Sequence, residues 1–502
     1  MRNIIIISSV LILSLFGCMM GPNYRRPSVE TPPTWRFEEK EAREVGNTAW
    51  WEQFNDPVLN DLIQSALQGN KDIKIAAARV EEFLGRYGTT RAALFPQVSA
   101  SASGSRSRST EYTPLGVVNP QDYVVAPSNP WSSFQTSLNA SWEIDLWGKL
   151  RRATEASRAD LLSTEEARRA VILTLVTSVA NAYVNLRDLD TQLEIAQRTA
   201  KSRGESYALF QLRFQGGVIS ELELNQVKSE YEQALSTIPL IEKTIAQQEN
   251  AMSVLLGRNP GPIPRGKKIG EFVLPDVPAG LPSDLLTNRP DIRQAEQNLI
   301  AANARIGVAR SLYFPTISLT GLFGFASTDL STLFSGPAKT WSWAAPLTVP
   351  VFTGGAIRGQ VKSAEAVQQQ ALLQYQQIIQ TAFREAEDAL IDQRRSREQL
   401  DIQAQQVESL RNYARFARMR FDNGYTSYIE VLDAERSLFN AELFQAQTKG
   451  VLFQALVNLY KAMGGGWIVG AEHMTGATTD SSTSIRGSKV SPEMVSSNVK
   501  AK

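Results

Sequence analysis

The sequence predicts a mainly helical fold with a few transmembrane β-strands, built by tandem duplication of one unit. Three observations predict this fold class. Several motifs occur twice at a nearly constant spacing, four segments alternate between apolar and polar residues, and two stretches of more than 60 residues lack proline. Alternation favours strands with two different faces, and the proline-free stretches favour long helices.

The duplication is visible as two offsets. Arg91–Pro96 matches Arg310–Pro315 at an offset of 219 residues (310 − 91). Arg213–Ser220 matches Arg420–Ser427 at an offset of 207 residues (420 − 213). Similarity at a fixed spacing is typical of a repeated structural unit.

The repeats and the residues around them define six predicted segments. The tail is rich in Ser and Thr and lacks apolar periodicity, so we expect it to be disordered. The predicted segments are a signal peptide at 1–17, a lipidated N-terminal segment at 18–59, a first repeat at 60–256, a linker at 257–281, a second repeat at 282–468 and a disordered tail at 469–502.

Each repeat is predicted to begin with a helix, at 60–94 and 283–313, followed by two strands. Five of the nine Trp residues lie in or beside the strands, as in the aromatic girdles of membrane barrels. A soluble β-sandwich shows the same alternation, but the Trp positions and the Pro-, Ser- and Gly-rich loops favour the membrane. The predicted strands are at about 97–108 and 132–147 in the first repeat and about 316–327 and 340–352 in the second.

Four strands cannot close a membrane barrel alone. Unpaired strand edges cannot face lipid, and the smallest single-chain barrels have eight strands. The chain is therefore expected to combine its strands with those of identical copies. Two copies would give a filled barrel of eight strands, whereas three copies would give twelve strands around an open lumen.

The proline-free stretches at 147–214 and 356–421 predict helices of roughly 100 Å. Each is expected to turn at a hairpin tip, at about 216–220 and 423–427, where Gly217 and Gly424 break the helix. Ser220 and Ser427 are each followed by Glu three residues later. This spacing predicts a capping box at the start of each returning helix.

The N-terminus has the pattern of a lipoprotein signal. Arg2 precedes an apolar run, and Leu15–Cys18 resembles the bacterial lipobox. Cleavage before Cys18 would leave a cysteine carrying an S-diacylglycerol and an N-acyl chain. The alternative is an ordinary buried cysteine within a signal segment. Lipidation would anchor the protein in a membrane.

Composition limits the possible functions. The chain has 52 Lys and Arg against 51 Asp and Glu, which argues against nucleic-acid binding. It has one Cys and one His, His473, so we expect no multi-cysteine metal site, no His-based triad, no other cofactor and no enzymatic activity. A mean hydropathy of −0.21 alone would suggest a soluble protein, but four short two-faced strands add little to this average.

Several motifs together resemble the outer membrane factors of tripartite efflux pumps, a TolC-like family, and especially its NodT-type lipoprotein branch. The motifs lie at Trp142–Gly148, Arg289–Glu296, Ala304–Arg310 and Tyr428–Arg436. The resemblance implies a lipid-anchored homotrimer in the outer membrane of a Gram-negative bacterium, with a 12-stranded β-barrel that continues into a 12-helix periplasmic α-barrel. It also implies partners: a periplasmic membrane fusion (adaptor) protein and an inner-membrane transporter of the resistance-nodulation-division class.

The resemblance implies a periplasmic gate formed by Asp433 and Arg436, because the family closes its helical tunnel with an acidic ring and nearby Arg contacts. Three Asp433 carboxylates around a threefold axis would repel one another and select cations. The equivalent first-repeat residues are Gln226 and Ser229, so the second hairpin alone carries this charge pair. The alternative is an ordinary surface pair one helical turn apart.

The predicted function is passive conduction of drugs or other small toxic molecules from the adaptor and transporter to the cell exterior. The hairpin tips are the expected adaptor contacts, at Gly217, Ser220, Gly424 and Ser427. The alternative is a structural lipoprotein of the outer membrane that presents coiled coils without a pore. A scaffold of this kind would not need four amphipathic strands.

Overall fold

The computed structural model describes residues 19–29, 31–32, 35–36, 49–108, 130–273, 285–464 and 467–475. A short 3-10 helix, Trp50–Phe54, precedes the first repeat. The elements of the first repeat are α1 (Pro57–Gly69), α2 (Lys71–Ala92), β1 (Gln97–Ser107), β2 (Trp131–Ile144), α3 (Lys149–Gln215) and α4 (Glu221–Leu255).

The second repeat has the same order of elements. They are α5 (Leu285–Asn288), α6 (Pro290–Ser311), β3 (Thr316–Ser327), β4 (Lys339–Ala344), β5 (Leu347–Thr348), α7 (Ala356–Asp422) and α8 (Tyr428–Ala462), followed by α9 (Ile468–Met474). Corresponding helices have equal lengths: 22 residues in α2 and α6, 67 in α3 and α7, and 35 in α4 and α8. The duplication therefore preserved the length of every long helix.

The chain divides into two compact units. The first consists of the described parts of Met1–Ser28, Val80–Thr164 and Ala295–Gln376, and it contains all five strands. The strands form one antiparallel sheet in the order β1-β2-β3-β4, with β5 paired to β3 beyond the end of β4. Strands β1 and β4 are the two edges, and every residue of β1 is exposed in the single chain.

Two predicted strands end earlier than expected. Strand β2 ends at Ile144 rather than near 147, because the Asp145 carboxylate accepts hydrogen bonds from the Leu150 and Arg151 amides at 3.0 and 2.9 Å and so caps α3. The strand predicted at 340–352 is divided into β4 and β5 and ends at Thr348. Pro346 lies in this break, and proline has no amide hydrogen for a ladder bond.

The predicted helices at 60–94 and 283–313 are each divided in two. Asn70 separates α1 from α2: its backbone is extended at ψ 135°, and its side-chain oxygen accepts a hydrogen bond of 2.8 Å from the Asp72 amide. In the second repeat, Pro290 begins α6, a position where proline fits because the first helical amides have no helical partner. Residues 283 and 284 lie outside the described residues.

The second unit consists of the described parts of Val29–Arg79, Glu165–Gln294 and Gln377–Lys502. Its core contains Trp50, which stacks on Tyr460 with ring centroids 4.9 Å apart and meets the edge of Trp467. The apolar window of α3 that has membrane-like hydropathy is 56% buried, as in a core helix. The hydrophobic effect of these buried aromatic and aliphatic side chains stabilises the unit.

The first residues of the predicted disordered tail are helical, so that prediction is wrong for 469–474. Helix α9 adds Ile468 and Ala471 to the core, at 4% and 1% exposure. Glu472 pairs with Arg168 of α3 at 2.8 Å, which fixes the helix laterally. His473 lies on the exposed face of α9, and 476–502 lie outside the described residues.

Candidate gate at the helical hairpin tips

Both hairpins turn through the same backbone motif, at 216–220 and 423–427. Gly217 has φ +71° and Gly424 has φ +74°, a left-handed conformation that strongly favours glycine. The Val218 amide donates to the Arg213 carbonyl at 2.9 Å, and the Tyr425 amide donates to the Arg420 carbonyl at 2.8 Å. These bonds form the Schellman motif, which satisfies carbonyls at the end of a helix.

The returning helices are capped differently. Ser220 and Glu223 form the predicted capping box of α4, since each side chain accepts a hydrogen bond from the other residue's amide. The predicted capping box at Ser427 is wrong, because no side-chain bond caps α8 there. Glu430 instead accepts hydrogen bonds from Arg420, at 3.1 Å, and from the Thr426 hydroxyl.

An aromatic cluster joins the two hairpins close to their tips. Phe210 of α3 lies 4.2 Å from Tyr428 of α8 and 6.1 Å from Phe421 of α7, measured between ring centroids. Val227 of α4 and Val431 of α8 are buried in the same cluster. The first hairpin therefore supports the second one by direct apolar packing.

The predicted gate residues form an ion pair on α8. Arg436 donates to the Asp433 carboxylate at 2.8 Å, and the two side chains are about half exposed, at 52% and 50%. A pair this exposed contributes roughly 0–1 kcal/mol to stability. Its charges are consequently available for interactions with ions or with another chain.

The gate pair shares a groove with its first-repeat equivalents. The groove has a volume of about 780 Å³ and lies between α4 and α8 near the tips, with Gln226, Ser229, Asp433 and Arg436 in its wall. Only the second hairpin contributes a cation and an anion at these four positions. The structure thus brings the predicted gate residues and their uncharged counterparts to one surface.

Sequence reasoning missed a group of buried charges behind this surface. Arg203 of α3 is 3% exposed, and its guanidinium pairs with Glu230 of α4 at 3.0 Å. Burial raises the pKa of the partly buried Glu435 on α8, although Arg418 and Arg203 act in the opposite direction. Burial also lowers the pKa of Arg203. Glu435 lies within the Tyr428–Arg436 motif, but nothing in the sequence marks Arg203 as its neighbour.

The remaining predicted residues are placed as follows. Gly217, Ser220, Gly424 and Ser427 lie in the two turns. Cys18, the predicted lipidation residue, lies outside the described residues. No cluster of three or more His, Cys, Asp or Glu residues that could hold a metal ion occurs in the ranges that the structure describes.

The described fold resembles crystal structures of outer membrane channels. The chain aligns with the Campylobacter jejuni CmeC outer membrane channel at 28% identity and a TM-score of 0.82, over 93% of this chain and 98% of that one. It aligns with the open state of the Neisseria gonorrhoeae MtrE outer membrane channel at 31% identity and a TM-score of 0.80, over 90% of this chain and 99% of that one.

Sequence comparison gives the same result. The chain is 36% identical over 467 residues to the toluene efflux pump outer membrane protein TtgI of Pseudomonas putida, covering 91% of this chain and 97% of TtgI. It is 35% identical over 460 residues to the cation efflux system protein CusC of Escherichia coli, covering 90% and 97%. The model of the outer membrane efflux protein family matches 62–258 and 281–465, one segment in each repeat. The family model matches both repeats, the relatives align over nearly their full length, and the fold is that of the known channels. This chain therefore belongs to the outer membrane efflux protein family.

Proposed function

We propose that the protein is a passive outer membrane channel for the efflux of small molecules, formed by three copies and gated at its hairpin tips. The open sheet carries this proposal. Among the residues that the structure describes, no strand pairs with the outer edges of β1 and β4, and an unpaired edge in lipid costs several kcal/mol per backbone group. Because β4 and β5 pair with successive parts of β3, they count as one interrupted strand, so three copies would supply twelve strands and leave no edge.

Exposed apolar side chains of the sheet support its placement in a membrane. Trp341 and Trp343 of β4 are 68% and 75% exposed, and Leu138 of β2 is 52% exposed. A contiguous apolar surface of this kind is unfavourable in water but favourable against lipid. Trp side chains are enriched where the acyl chains meet the polar headgroups.

The channel is proposed to close at the hairpin tips. The closed state is the arrangement in which the two hairpins pack together through their aromatic cluster. In a trimer, three copies of the Asp433–Arg436 pair would line the periplasmic opening. Three carboxylates close together would attract cations and repel anions. Movement of α8 away from the groove would widen the opening, since the pair lies on that helix.

Lipidation of Cys18 is proposed, and it fits the way the next residues are held. The Met20 amide donates to the Trp147 carbonyl at 3.0 Å, and the buried Arg152 side chain donates to Asn23 at 2.7 Å. Gly21 has φ +91°, and a Cβ there would lie 2.5 Å from the Cα of Gly307. This segment is fixed where β2 ends and α3 begins, a place suited to a lipid anchor. Mass spectrometry of the protein and of Cys18→Ser would detect the acyl chains.

A periplasmic adaptor and an inner-membrane transporter of the resistance-nodulation-division class are the proposed partners. The tips present apolar side chains at equivalent positions of the two repeats. Val218 and Tyr425 are 74% and 78% exposed, and Leu222 and Ile429 are 68% and 57% exposed. Exposed apolar groups at two matching tips suit a partner that binds both hairpins in the same way. The relatives' names mention toluene and cations, so the cargo class is proposed as small toxic solutes.

Native mass spectrometry and planar-bilayer recording of the purified protein test this function. We expect a trimer that gives discrete channel events. A monomer, or a trimer that inserts into the bilayer without any conductance in either the native protein or the Asp433→Ala/Arg436→Ala variant, would instead support a structural lipoprotein without a pore.

A further inference from the structure

Charged side chains from all four hairpin helices meet behind the gate. Arg203 of α3 pairs with Glu230 of α4 at 3.0 Å, and its guanidinium lies 5.4 Å from the Phe439 ring centroid of α8. Arg418 of α7 donates to the Tyr428 hydroxyl at 3.3 Å. These contacts connect the first hairpin to the helix that carries the gate.

Glu435 is the member of this group that lies beside the gate in sequence. An α-helix turns by about 100° per residue, so Asp433 and Arg436 share one face of α8, while Glu435 points away from that face. Rotation of the gate pair must therefore also move Glu435. At the equivalent position of the first hairpin (435 − 207) stands Lys228, which is exposed and pairs loosely with Glu232 at 3.7 Å.

Glu435 is poorly compensated in this packing. Within the described ranges, no hydrogen bond reaches its carboxylate. The Arg203 Nε is buried and has no partner in the same ranges. Both side chains line a cavity of about 450 Å³ between the hairpins. Two opposite charges that face a cavity without a direct hydrogen bond attract each other only weakly. This attraction offsets little of the free energy that each charge loses when it is removed from water.

We propose that Glu435 is a positioning residue of the gate, whose uncompensated charge destabilises the packed tip and so favours opening. The inference rests on the proposed function, because it assumes that the packed tip is the closed state. Movement of α8 would hydrate the partly buried Glu435 more fully or let it pair directly with Arg203. Either outcome would lower the free energy of the charged side chain relative to the packed tip.

The effect of pH follows from the same charge. The groups that face Glu435 from the other three helices are Arg203, Glu230 and Arg418, one on each helix. On α8 itself, Tyr428 also interacts with Glu435, and Asp433 and Arg436 flank it. Burial raises the pKa of Glu435 in the packed tip, whereas a solvated carboxyl in the open tip would have its ordinary value. Protons bind better to the packed tip, so acidification is expected to favour closure.

Planar-bilayer recording of four variants tests the proposal. Glu435→Gln should lower the open fraction by at least about threefold, because the neutral side chain stabilises the packed tip. Glu435→Asp keeps the negative charge, so its open fraction should remain close to that of the native protein. Lys228→Gln is the matched control in the first hairpin and should not change the open fraction. Asp433→Ala/Arg436→Ala shows independently that the channel can open.

A pH profile separates this role from a purely structural one. Between pH 7 and pH 5, the native open fraction should fall, and Glu435→Gln should lose most of this dependence. An unchanged or increased open fraction in Glu435→Gln, while Asp433→Ala/Arg436→Ala conducts, would overturn the positioning role alone. Absence of conductance in every variant would overturn both this role and the proposed channel.

Discussion

The long helices of the two repeats have identical lengths but very different surroundings. Of the 22 residues of α2, Ile73 and Val80 alone are buried in the single chain. The corresponding helix α6 buries about half of its residues, including Ile292, Leu299 and Ala301. In this pair of helices the second-repeat member is thus the buried one, whereas the first repeat leaves α2 and β1 uncovered.

This difference suggests how one unit came to serve two purposes. Helix length sets the dimensions of the tube, and the duplication preserved it. The side chains on each face then determine what a helix contacts. The uncovered surfaces of α2 and β1 are available to a neighbouring copy in the proposed trimer, while the charged pair of the gate occurs in the second hairpin alone.

The largest expected effect on stability comes from a carboxylate at equivalent positions of α2 and α6. Ala301 of α6 is 0% exposed, and Ala301→Glu would bury an unpaired carboxylate at a cost of about 3–5 kcal/mol. The equivalent residue in α2 (301 − 219) is already Glu82, which pairs with Arg86 at 2.5 Å on the surface. Glu82→Ala should change the free energy of unfolding by less than about 1 kcal/mol. Urea unfolding in detergent measures the free energy of unfolding of both variants. Equal losses of stability in the two variants would refute the comparison.

A smaller and equal effect is expected at the two turns. Gly217→Ala and Gly424→Ala should each destabilise the protein by about 1–2 kcal/mol, because L-residues are strained at positive φ. No neighbouring atom lies within 4 Å of a Cβ added at either position, so the backbone alone sets the cost. Thermal unfolding in detergent measures the stability of the two variants. Losses of stability that differ more than twofold would contradict the equivalence of the two turns.

The smallest effect on stability is expected at the helix caps. Ser220→Ala should cost about 1 kcal/mol, since the Ser220 side chain accepts the Glu223 amide at 3.3 Å. Ser427→Ala should cost almost nothing, because that side chain makes no capping bond. Hydrogen exchange in the first turns of α4 and α8 measures the two effects. Comparable deprotection in both variants would show that Ser427 caps α8 in solution.

Repeated patterns in the sequence predicted the features that depend on local residues. Gly217 and Gly424 marked the turns because glycine adopts positive φ without strain, and the alternation of β1 to β3 marked the strands. The capping box that the sequence predicted at Ser427 does not form, because Arg420 and Thr426 bind the Glu430 side chain instead. The sequence also could not predict the burial of Glu435, which depends on Arg203 more than 200 residues earlier in the chain.

The central claim is that the second hairpin alone carries the gate, and single-channel recording in planar bilayers tests it most directly. Asp433→Ala/Arg436→Ala should raise the open fraction by about tenfold, if each of three pairs contributes about 0.5 kcal/mol to closure. The first-hairpin counterpart, Gln226→Ala/Ser229→Ala, should leave the open fraction unchanged. Equal increases in both variants, or an increase in the first-hairpin variant alone, would contradict this account.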